Sequence, residues 1–179
     1  MHRSLILSSL VVTSLFAATA CADKSAKPAE ATAEKATAEK AAKPHPVLDA
    51  YEDVRVKLAA DQIAEAVKAS AALAAAADGA GASAKAETKP HVEALAKAAK
   101  ELSGKDAANA DDVRKQFGEV SRALMALLAA DPSLAEGRHA FECPMAQGYK
   151  KWVQASADMA NPYMGKRMLK CGSTTSMSL

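Results

Sequence analysis

The chain has 179 residues, half of them hydrophobic, and its 23 basic and 21 acidic side chains leave a formal net charge of +2. Alanine supplies much of the apolar fraction and aromatics only 4%, so the length suffices for one domain with a modest core. Charges of mixed sign leave no basic face, which argues against nucleic acid as a partner.

The first 21 residues, "MHRSLILSSLVVTSLFAATAC", read as a secretory signal with Arg3 as the positive region, Leu5 to Phe16 as the apolar core and small residues before Cys21. That apolar run is too short to span a bilayer well. Ala18, Thr19 and Ala20 ahead of Cys21 resemble the lipobox of bacterial lipoproteins, in which the cysteine is lipidated and becomes the mature N-terminus. The same three residues also serve as an A-x-A site for ordinary signal peptidase. Either route places the mature protein in the periplasm or cell envelope, and the first adds a membrane attachment through the lipid. Residues 22–46 are reduced to Ala, Lys, Glu, Thr, Pro and little else, with "ATAEKATAEKAAK" nearly repeating itself. Such a segment buries too little apolar surface to offset its ordering entropy. It is expected to be a solvated tether, either a spacer that lifts a domain off an anchor or a leader that confers only solubility.

In "VLDAYEDVRVKL", Val47, Tyr51, Val54 and Leu58 follow the spacing of one face of a helix. Asp61 offers an N-cap for a second helix whose stripe is Ile63, Val67, Ala71 and Ala74 and which ends near Gly79. The Gly and Ser content of 78–88 predicts a loop. Thr88 then caps a third helix with Pro90 in its first turn and Val92, Leu95, Ala99 and Leu102 as its buried face. Asn109 or Asp111 caps a fourth, in which Val113, Phe117, Val120, Leu124 and Leu127 form a bundle seam that stops before Pro132. Short connections imply an antiparallel bundle, an all-α fold over residues 47–172 with a less regular Cys- and Met-rich end and a tail at 173–179. A coiled-coil partner helix is the rival reading of the last stripe.

The chemistry follows the helices. Five of the seven methionines lie beyond residue 144, close in sequence to Cys143 and Cys171. Thiolate and thioether sulfurs favour copper(I) and similar soft ions, so Cys143, Met145, Met164, Met168 and Cys171 are candidate ligands. His139 can add an imidazole. If 143–145 is extended, Cys143 and Met145 share a side; if 164–171 is helical, Met164, Met168 and Cys171 share a face. The competing reading treats the methionines as core filler and pairs Cys143 with Cys171 as a disulfide, since two cysteines remain beyond Cys21 in an oxidising compartment. Trp152 and Tyr163 either line a ligand pocket or contact a partner, and "NPY" at 161–163 reads as a turn. Motifs for catalysis are missing: the chain has no CxxC, HExxH, GxSxG or phosphate-binding glycine loop, and it is expected not to be an enzyme.

"CPMA" at 143–146, then Gly148 and Trp152, and finally "NPYMGKRMLKCG" at 161–172 resemble the signature of a family of uncharacterised bacterial extracytoplasmic helical domains. These occur alone or fused to periplasmic adaptor subunits of copper and silver efflux pumps. The resemblance implies handling of copper(I) or silver(I), heavy-metal efflux components as partners, and roles for Cys143, Met145, Met168 and Cys171. The chain departs from the pattern at Glu142, where relatives often carry His or an aromatic residue, and at Met164, where an aromatic is usual. The alternative expectation is a disulfide-clasped, non-catalytic interaction module.

Overall fold

The amphipathic stripes become four α-helices in the computed structural model, which describes residues 41–178: α1 (Pro46–Ala59), α2 (Ile63–Ser83), α3 (Lys89–Ser103) and α4 (Ala110–Ala130). The expected signal segment, Cys21 and most of the tether lie outside these residues. Consecutive helices pack on one another through short connections, as expected of an antiparallel bundle. The expected faces of α1, α3 and α4 are all buried. Asn109 caps α4 by accepting a hydrogen bond from the Asp112 amide at 3.1 Å, and the helix ends at Ala130, ahead of Pro132.

Helix α2 departs from expectation in register and in length. Its buried residues are Ala66, Ser70, Leu73, Ala74 and Ala77, and it runs on through Gly79 and Gly81 to Ser83. Alanine on every side makes the faces nearly indistinguishable by hydropathy, and an interior glycine costs a packed helix only about 1 kcal/mol. Asp61 does not cap this helix; it sits at φ 60° with Gln62 at the N-cap. Its carboxylate instead accepts from Arg114 at 2.6 Å and from the Lys166 amide at 3.0 Å.

The chain is not purely helical. Beyond α4, β1 (His139–Glu142), β2 (Lys151–Gln154) and β3 (Ser173–Thr174) form an antiparallel sheet in the order β2-β1-β3. The segment expected to be a tail thus begins with the third strand, Ser173 opposite Glu142 and Thr174 opposite Phe141. Strands of two to four residues place at most two side chains on a face, too few for alternation to register in sequence.

Aromatic rings join the sheet to the bundle. Tyr51 of α1 stacks on Phe117 of α4 at 5.3 Å, and Phe117 lies 5.9 Å from Tyr163. Tyr163 meets Trp152 edge-on at 5.9 Å, and Trp152 stacks on its cross-strand partner Phe141 at 5.5 Å. Such pairs add about 0.5–1.5 kcal/mol each beyond their area burial, which matters in an alanine-rich core. The Tyr51 hydroxyl shares a 2.8 Å hydrogen bond with Ser121, and burial pushes the phenols of Tyr51 and Tyr163 above their usual range.

Candidate functional site: a cysteine pair at the sheet edge

Cys143 follows β1 directly. Its amide donates to the Lys150 carbonyl at 3.0 Å, which extends the β1–β2 pairing, and its carbonyl accepts from Ala146 at 3.1 Å, which closes a tight turn. The chain from 143 to 146 is therefore bent, and the extended geometry that would have aligned Cys143 with Met145 is not formed. Cys143 is fully buried and Cys171 half-buried; both are free thiols, with sulfurs 3.8 Å apart. Burial, and then the contact with Cys143, push the Cys171 thiol up. The shift favours the neutral thiol of Cys171, and a cation bound there would have to displace its proton.

Two buried amides that the sequence reading passed over hold this pair in place. Asn161, read only as part of a turn, is completely buried. Its Oδ1 accepts from the amides of Tyr163 and Met164, at 2.8 and 3.1 Å, and its Nδ2 donates to the Cys171 carbonyl. Gln154, 1% exposed, donates to the carbonyls of Ser156 and Asp158 and accepts from the Trp152 indole and the Ala160 amide. One amide clamps the cysteine loop, and the other shapes the loop leading into it. Asn before Pro was the visible trace of the first; nothing local marks the second.

The other candidates disperse. Met145 is 57% exposed and, with Met164, lines a cleft of about 500 Å³ alongside Asp61, Arg114 and Arg167, a cleft to which neither cysteine contributes. Residues 165–168 form only a short 3₁₀ turn that opens with Gly165 at φ 60°, and Met164 stands at its N-cap, outside the turn. The helical face expected for Met164, Met168 and Cys171 is therefore not built. Met168 remains beside the cysteine through its backbone, its carbonyl accepting from the Cys171 amide at 2.9 Å. His139 begins β1 four residues before Cys143, roughly 13 Å away at about 3.3 Å per residue. Among the described residues, His139 forms no three-residue metal-binding group with the two cysteines.

Trp152 is fully buried and Tyr163 only 6% exposed, with the Tyr163 hydroxyl donating to the Lys151 carbonyl at 2.6 Å. Trp152 is therefore a core ring and not a partner-contact surface, and Tyr163 reaches outward only to edge the methionine cleft. Among the described residues, no group of three or more His, Cys, Asp or Glu gathers around a common metal position. No helix among them is long and apolar enough to cross a membrane. Comparison with known protein families, curated proteins and solved structures finds no match to this chain.

Proposed function

We propose that this chain is a non-catalytic envelope domain, lipid-anchored through Cys21, that captures or delivers soft metal ions, copper(I) or silver(I), in company with heavy-metal efflux components. Cys143 and Cys171 are its primary ligands. The observation that carries this reading is the 3.8 Å between two free sulfurs. With a metal–thiolate bond of about 2.3 Å, two sulfurs on one ion lie about 3.8–4.0 Å apart at tetrahedral or trigonal angles. The pair therefore matches a chelate without rearrangement, whereas a disulfide requires the sulfurs to close to about 2.05 Å. Thiolate softness favours copper(I) over harder ions, and the resemblance of the two cysteine segments to efflux-associated domains points the same way.

The test is a titration of copper(I) into the reduced soluble chain without its anchoring cysteine, residues 22–179, against a chromophoric chelator, with thiols counted before and after. Stoichiometric binding that is lost in Cys143→Ser and in Cys171→Ser supports the reading. Failure of the reduced protein to compete for copper(I) removes it.

The same cysteine contact supports a second reading, a disulfide clasp in an interaction module. On the chain-entropy argument, closing the loop from Cys143 to Cys171 adds roughly 3–4 kcal/mol. In this version metal leaves the melting temperature unchanged, and the partner contact lies outside the buried Trp152.

A further inference from the structure

The two cysteine-bearing segments meet at Gly172, and a third sulfur meets them there. A Cβ on Gly172 would sit 2.6 Å from the Glu142 carbonyl oxygen, 3.1 Å from Cη2 of Trp152 and 3.3 Å from the Sδ of Met159. Glu142 precedes Cys143 and Gly172 follows Cys171, so the thioether of Met159 lies against the junction of both segments. Glycine, here at φ 142°, permits this close approach, since a Cβ would overlap the Glu142 carbonyl.

The position of Met159 is fixed by its neighbours. The Asp158 carbonyl accepts from Gln154, and the Ala160 amide donates to Gln154 at 3.1 Å. The Ala160 carbonyl accepts from Arg55 at 2.8 Å, and Arg55 is itself held by a double contact with Glu52. Backbone pinned on both sides of a half-buried methionine is how a fold preorganises a donor. The buried Trp152 ring forms an apolar wall on the inner side of the junction, whose glycine is itself exposed.

We infer that Met159 is the third sulfur donor of the Cys143–Cys171 pair, making a dithiolate–thioether site for a soft monovalent ion. This inference rests on the soft-metal reading above. A neutral thioether completes a three-coordinate site without adding charge beside two thiolates, and its softness matches theirs. Met145 and Met164, which share the separate cleft, take no part in this site.

The test uses the reduced soluble chain, residues 22–179, with methyl-¹³C-methionine, titrated with silver(I), alongside copper(I) competition titrations of wild type, Met159→Leu and Met145→Leu. The expected result is a shift of the Met159 methyl signal with the Met145 and Met164 signals unmoved. Met159→Leu should weaken copper(I) binding by at least the roughly tenfold that loss of an outer-shell partner costs a metal site, while Met145→Leu does not. Wild type that binds through its cysteines with the Met159 signal unmoved overturns the inference and leaves the dithiol site standing. Wild type that binds neither ion overturns both. The methyl shift needs no variant, so it decides the matter even if Met159→Leu folds poorly.

Discussion

Replacing Asn161 by alanine removes the clamp on Cys171. Three hydrogen bonds disappear together, from the amides of Tyr163 and Met164 and to the Cys171 carbonyl. A buried donor or acceptor left without a partner costs about 1–3 kcal/mol. The Tyr163 amide bears this in full because its bond is buried, while the partly buried bonds to Met164 and Cys171 can be replaced by water. A net loss of about 2–4 kcal/mol follows, and at about 4 °C per kcal/mol the melting temperature falls by roughly 8–16 °C. Asn161→Asp separates the two functions of the side chain: it keeps the Oδ1 acceptor and sets a second oxygen against the Cys171 carbonyl. Only the protonated acid can donate there, so its folded pKa is raised. The stability it supports is present at acid pH and lost as pH rises through that pKa. Urea denaturation of both variants and wild type across pH tests this. An alanine variant within about 0.5 kcal/mol of wild type, or an aspartate variant that gains nothing relative to wild type on acidification, refutes the assignment of Asn161 as the clamp.

Further perturbations probe the joints and the sulfurs. Gly165→Ala would put a Cβ 1.8 Å from Asp61 Oδ1 at φ 60°, and is expected to cost about 2–4 kcal/mol. Asp61→Gly in the same chain should recover much of that loss, and strict additivity of the two in denaturation would show that the clash is not the cause. The buried phenols of Tyr51 and Tyr163 are raised above their usual range, so the unfolded chain loses these protons first, near pH ~10. Stability is therefore full below about pH 10 and falls above it by up to ~1.4 kcal/mol per pH unit per tyrosine; a flat alkaline profile in urea melts contradicts this. Oxidation of Cys143 and Cys171 is expected to raise stability by about 3–4 kcal/mol, an increment lost equally in Cys143→Ser and Cys171→Ser. Denaturation midpoints indifferent to reductant and to both serine variants exclude a clasp.

What the sequence by itself determined is short in range. The buried faces of α1, α3 and α4, the Asn109 cap and the stop before Pro132 all depend on residues within about four positions of each other, where side-chain spacing and backbone geometry act directly. The face of α2 was undetermined because an alanine run presents much the same surface on every side, and the strands were hidden by their brevity. The candidate site was legible as two cysteine segments and unreadable as a geometry. Only the tertiary structure decided that Cys143 meets Cys171, that Asn161 clamps the latter, that Met145 and Met164 turn to another cleft, and that Met159 approaches Gly172. It likewise took Asp61 from its expected cap and gave it to Arg114 and Lys166, more than 50 residues away. Such contacts form only after the bundle has paid the entropy of bringing distant segments together, so they leave no periodic trace in the order of the residues.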